Sequence, residues 1–107
     1  MNYKINYTHP FAKELKHLVK KYPSIKVDVS NLMKELQTNP LMGIPIGNNF
    51  YKIRMAIQSK GKGKSGGARV ITYVQVINEN IFMIAIYDKS ESENISAKQL
   101  QDRLKKL

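Results

Sequence analysis

Three cations on two neighbouring apolar runs are the residues of this chain best suited to chemistry. Lys52 and Arg54 sit in FYKIRMAI, and Arg69 stands near the head of ARVITYVQVI. Lys52 and Arg54 are two positions apart, so an extended segment projects both from one face while Tyr51, Ile53, Met55 and Ile57 take the other. Antiparallel pairing of the two runs brings Arg69 to the same surface if the register agrees. Such a cluster can bind a nucleic-acid backbone, or stabilise the charge that accumulates on a phosphate under attack. A solvated sheet face would carry the same residues with no chemistry at all.

Between the runs lies Gln58–Gly67, which holds Lys60, Lys62, Lys64 and four glycines in ten residues without one apolar side chain. It reads as a cationic, flexible loop. Glycines suit turns and lysines discourage edge pairing, yet three lysines at every second position exceed what a turn requires. Phosphate-backbone contact explains them better. The string GKGKS invites a nucleotide-binding P-loop, and that reading fails. Ending the motif at Gly63-Lys64-Ser65 puts Gln58 where its first glycine belongs, and the loop leads into a strand rather than a helix N-terminus.

Other chemistry finds less support. His9 and His17 are eight residues apart on one segment, with His9 expected near a helix cap and His17 on a wet face. Asp88, Glu91 and Glu93 share a polar stretch with no metal-ligating spacing, and nothing calls for a cofactor. The absence of cysteine removes disulfides, thiolate metal sites and thiol nucleophiles.

The elements that must position these residues follow from periodicity. Met1–Tyr7 alternates as a short strand. Thr8 caps a helix with Pro10 in its first turn, which runs to about Tyr22 and is broken by Pro23. A second helix spans Ser24 to about Thr38, although Ile25, Val27 and Val29 also alternate like a strand, and the two helices form an antiparallel hairpin. Asn39–Asn49 reads as a loop. Three strands follow, Phe50–Ile57, Ala68–Ile77 and Ile81–Tyr87, the last apolar on both faces. Ile95–Leu107 begins with a Ser96/Gln99 capping box and carries a narrow stripe of Leu100, Leu104 and Leu107. The order β-α-α-β-β-β-α makes one α+β domain over residues 1–107.

Eighteen Lys and Arg against eight Asp and Glu leave a net charge of +10, which favours phosphate polymers or acidic proteins as partners. The start has no apolar run behind a basic end and no stretch approaches a membrane span, so no membrane is expected and the cytoplasm is the simplest location.

Tyr51-Lys52-Ile53-Arg54, Gly66-Gly67-Ala68-Arg69-Val70-Ile71 and Ile84-Ala85-Ile86-Tyr87-Asp88-Lys89 together resemble RelE/HigB-type toxins of bacterial type II toxin–antitoxin modules. KGKGKSGGARVI and IYDKSE are most similar to the HigB-like branch. The resemblance is strongest over residues 50–89, and helix order and length agree over the rest. It implies a small RelE-like microbial RNase fold, with a curved, mostly antiparallel sheet, two N-terminal helices and one C-terminal helix. It also implies a metal-independent endoribonuclease that cleaves messenger RNA on the ribosome by attack of a 2′-OH on the adjacent phosphate. Carried over by position, Lys52 is the base, Arg54 a phosphate-binding cation and Arg69 the transition-state arginine. Where RelE has an arginine and a tyrosine after the last strand, this chain has Ser90 and about Ser96, and Lys89 and Tyr87 are the nearest substitutes as acid and substrate contact. Lys60, Lys62 and Lys64 would hold RNA backbone. A cognate antitoxin, acidic where it binds, is implied, forming a hetero-oligomeric complex and displacing the Ile95–Leu107 helix. Two alternatives stay open: a ParE-like toxin that inhibits DNA gyrase without cleaving RNA, and a basic nucleic-acid-binding module.

Overall fold

A computed structural model of the chain describes residues 2–91 and 94–107. Strand β1 (Lys4–Tyr7) is followed by helices α1 (His9–Lys21) and α2 (Ile25–Thr38), then β2 (Ile44–Pro45), β3 (Phe50–Met55), β4 (Ala68–Gln75), β5 (Asn80–Asp88) and helix α3 (Ala97–Lys105). The strands form one sheet in the order β1-β5-β4-β3-β2. Every pairing is antiparallel except β1 on β5, where Lys4–Tyr7 runs parallel to Asn80–Met83. The α+β class and the mostly antiparallel sheet are as the sequence implies.

The sheet has one strand more than expected. Ile44 and Pro45 pair with Lys52 and Tyr51 inside the stretch read as a loop. A two-residue edge strand containing proline shows no alternation, so it leaves no periodic signal. The short 3-10 turn Gln58–Lys60 is the other addition.

Local chemistry explains the helix ends. The Thr8 side chain accepts from the Phe11 N–H and Pro10 lies in the first turn of α1. The first turn of α2, which sequence left between helix and strand, is helical, with Ile25 and Val29 both buried one turn apart. At α3 both hydrogen bonds of the Ser96/Gln99 capping box are present.

Helices cover both faces of the sheet. Phe11, Leu18, Ile25, Val29, Leu32 and Leu36 of α1 and α2 pack on Ile53, Met55, Val70, Val74, Met83 and Ile86. On the opposite face Ile95, Leu100 and Leu104 meet Phe50, Ile71, Ile84 and Ala85. Two consecutive residues of β5 serve that second face because the ladder slips between Ile71 and Thr72, which pair with Ala85 and Met83 and leave Ile84 as the extra residue of a bulge.

The stripe expected on α3 loses its last member, since the helix stops at Lys105 and Leu107 is 55% exposed. Arg103 supplies a different hold. Its Nη1 and Nη2 donate to the two carboxylate oxygens of Glu14 on α1 at 2.8 and 2.9 Å, and Nη1 also reaches the Ile84 carbonyl at 2.9 Å. Glu14 in turn accepts from the Ile86 N–H at 3.2 Å. This fork-to-fork pair therefore covers the edge of β5 beyond Met83, where β1 no longer pairs. Among the described residues no helix is long and apolar enough to cross a membrane.

Candidate active site

The register puts the cations in rows. Arg54 on β3 stands directly opposite Arg69 on β4, which stands opposite Tyr87 on β5. Two residues along, Lys52 is opposite Ile71, and Ile71 is opposite Ala85. Directly opposed residues of a ladder share a face, so Lys52, Arg54, Arg69 and Tyr87 all project on the α3 side, at the end of the sheet that the helix leaves uncovered by leucines. The alternate residues Ile53 and Met55 are buried on the other side, with Ile57 just beyond the strand.

Within this cluster the three cations have different surroundings. Arg54 is exposed. Lys52 is half-buried, and its Nζ donates to Oδ1 of Asn94 at 2.6 Å. The hydroxyl of Tyr87 donates to the same oxygen at 3.4 Å. Burial pushes the Tyr87 phenol up, while nearby Arg69 pulls it down by less. Arg69 is only 6% exposed, and its guanidinium reaches back to the loop. Nη1 donates to the carbonyls of Lys64 at 3.0 Å and Ala68 at 3.2 Å, and Nη2 to that of Ser65 at 3.2 Å. The remaining donors of the fork stay uncommitted among the described residues.

The lysine-glycine loop is tied down at both ends. Arg69 pins its far end. At its near end the N–H groups of Gln58 and Ser59 donate to Asp28 Oδ2 at 3.1 Å and Ser24 Oγ at 2.8 Å. Ser24 Oγ also donates to Asp28 at 2.9 Å, which makes the start of α2 a fixed support. The tip turns through Gly61 and Gly63, at φ +70° and +65°.

The three loop lysines also part company. Lys60 folds inward, with Nζ 2.7 Å from Oδ1 of Asp88 and 3.2 Å from the Ser90 hydroxyl, over the Tyr22 ring at 5.5 Å. The Tyr22 hydroxyl donates to the other Asp88 oxygen. Burial alone would raise the Asp88 carboxyl, but hydrogen bonds from Lys60, Tyr22 and Ser90 outweigh it and hold the group well below the usual carboxylate range. Lys62 and Lys64 stay exposed. Lys89 is exposed too, its backbone N–H donating to Gly67 at 3.1 Å, and it borders a groove of about 360 Å³ shared with Lys60, Lys62 and Ser90.

The remaining candidates lie outside the row. His9 and His17 are both exposed on α1, and His17 edges a hollow of about 370 Å³ that Tyr87 and Asp88 also line. Ser90 bonds to Asp88 at 2.9 Å and Ser96 caps α3. Glu93 lies outside the described residues.

Sequence reasoning missed Asn94, because a lone asparagine in a polar stretch has no periodic or motif signal. It also missed the Lys60–Asp88 pair, although IYD with a buried strand end hinted that the aspartate needed a partner.

A family model for the RelE toxin of RelE/RelB toxin–antitoxin systems matches residues 4–107. Among solved structures, an arginine-to-alanine double mutant of Escherichia coli RelE in the free state superposes with a TM-score of 0.65 at 17% identity, over 100% of this chain and 99% of that one. The isolated E. coli RelE toxin gives 0.62 at 16%, over 98% and 99%. A RelBE toxin–antitoxin complex from Mycobacterium tuberculosis gives 0.64 at 16%, over 82% and 99%. At these identities the likeness is one of fold.

Proposed function

This chain belongs to the RelE toxin family, and we propose that it cleaves messenger RNA on the ribosome as the toxin of a toxin–antitoxin module. The observation that carries the reading is the register that sets Lys52, Arg54 and Arg69 on one face beside Tyr87. Lys52 removes the proton of a ribose 2′-OH, and the 2′-oxygen bonds to the adjacent phosphorus. Arg54 and Arg69 stabilise the charge of the pentavalent phosphorane, Arg69 with the donors its loop contacts leave free. The P–O5′ bond then breaks and the leaving oxygen takes a proton from Tyr87 or Lys89, giving a 2′,3′-cyclic phosphate and a 5′-OH. Tyr87 shares the Oδ1 of Asn94 with Lys52.

In this reading Lys62 and Lys64 hold RNA backbone, while Lys60 is occupied by Asp88 and acts on the loop's shape. The HigB-like branch is a finer placement within the family, supported by KGKGKSGGARVI and IYDKSE. The partner is an antitoxin with an acidic binding segment, complementary to the net charge of +10. If it displaces α3, it must replace the bonds of Arg103 to Glu14 and Ile84. Action on messenger RNA places the protein in the cytoplasm.

The test is induction of the protein in cells with mapping of RNA 5′ ends. Cleavage within translated messages, abolished by Lys52→Ala, is the expected result. Growth arrest with intact messenger RNA, or inhibition of DNA gyrase by purified protein, overturns the reading.

A further inference from the structure

Asn94 joins the base to the tyrosine through one atom. Its Oδ1 lies 2.6 Å from Lys52 Nζ and 3.4 Å from the Tyr87 hydroxyl. A lysine ammonium carries donors only, so the amide must turn its oxygen, not its nitrogen, toward Lys52, and that choice makes Tyr87 a donor to the same oxygen. Asn94 is itself exposed, and the two residues that follow it are held. Ile95 packs in the apolar cluster of α3, and Ser96 is fixed by the capping box with Gln99. The contact joins positions 42 residues apart, from β3 to the approach of α3.

We infer that Asn94 is a positioning residue for Lys52, an inference that rests on the reading of Lys52 as the base. A lysine stem has several rotatable bonds, and a base must be held at its substrate for the proton to pass. A neutral amide suits this task in a way a carboxylate does not. It fixes the nitrogen by one hydrogen bond, yet adds no negative charge that would oppose loss of the proton. Tyr87 is placed by the same oxygen, so base and neighbouring phenol keep a constant spacing.

The experiment uses the full chain with translating ribosomes loaded with a defined message. Asn94→Ala is expected to lower kcat about 10- to 100-fold with KM nearly unchanged, because the RNA-binding lysines are untouched. Asn94→Asp restores the acceptor but adds a charge, so the rise of rate with pH moves to higher pH. The other charged and titratable side chains of the rows, Arg54, Arg69 and Tyr87, are the same in both variants. A second readout does not need cleavage. In ammonium-selective nitrogen-15 NMR of the free protein, Lys52 should give a distinct, slowly exchanging signal that Asn94→Ala removes. Should Asn94→Ala fail to fold, Asn94→Ser carries the same two measurements.

Unchanged kcat and an unchanged Lys52 signal in a folded variant overturn the positioning role while the nuclease reading stands. A wild-type protein that shows the Lys52 signal but never cleaves RNA overturns the nuclease reading, and with it any role of Asn94 in that reaction.

Discussion

Lys60 and Asp88 tie the cationic loop to the end of the last strand, with Nζ 2.7 Å from a carboxylate whose side chain has no exposed surface. Sequence alone puts Lys60 among the lysines expected to hold RNA backbone and leaves Asp88 in a polar stretch without a role. Their pairing gives Lys60 a buried acidic partner within the protein.

Its stability contribution is pH-dependent in a determinate direction. The Asp88 carboxyl is held below its ordinary range in the folded protein, so its stabilisation is complete above the unfolded value near 4 and is lost as pH falls below it. Asp88→Asn is expected to cost about 1.5–3 kcal/mol at neutral pH. Urea titrations at neutral and strongly acidic pH check this, since the gap between variant and wild type should close in acid.

The exposed lysines should separate from Lys60 in their salt response. Lys62→Ala and Lys64→Ala are each expected to reduce the slope of log affinity for single-stranded RNA against log salt by about 0.7, whereas Lys60→Ala leaves it nearly unchanged. Binding isotherms at several salt concentrations give the three slopes directly.

Arg69 holds the loop as well as facing the proposed phosphate site. Arg69→Lys keeps the charge but lacks the fork that reaches Lys64 and Ser65 together. Hydrogen exchange across residues 60–67 should therefore quicken in Arg69→Lys, and cleavage should fall about 100-fold or more in Arg69→Ala. A loop that exchanges as in wild type would show that its other anchors suffice.

Gly67 marks the point where the loop re-enters the sheet. A Cβ there would lie 2.2 Å from the Met55 carbonyl oxygen and 3.0 Å from Ala56 Cα, both backbone atoms. Gly67→Ala is expected to cost about 2–4 kcal/mol and to disturb the pairing of Met55 with Ala68 beside the Arg54–Arg69 row. Thermal unfolding of the variant measures the cost.

Much of this arrangement is written in local pattern. The period of two across Tyr51–Ile57 sorted Lys52 and Arg54 from Ile53 and Met55, and the caps at Thr8 and Ser96 marked two helix starts. What stayed hidden depends on partners distant in the chain. Nothing local tells Lys60 that Asp88 waits 28 residues on, or Lys52 that Asn94 does so 42 residues on. The parallel pairing of β1 with β5 and the two-residue β2 were invisible for the same reason, since partner choice is a property of the assembled sheet.

The position of β1 beside β5 has a consequence for how the molecule comes to exist. Lys4–Tyr7 is made well before its partners, Asn80–Met83. Until those residues emerge, the α1–α2 hairpin has no completed sheet on which to lay its apolar side. The bond from Arg103 to Glu14 spans 89 positions and closes later still. Contacts between positions far apart in sequence are slow to form because the intervening segment must first be ordered. A chain still being synthesised through these residues therefore lacks both the finished sheet and the α3 layer, and the Lys52–Asn94 contact arises only once Asn94 has emerged.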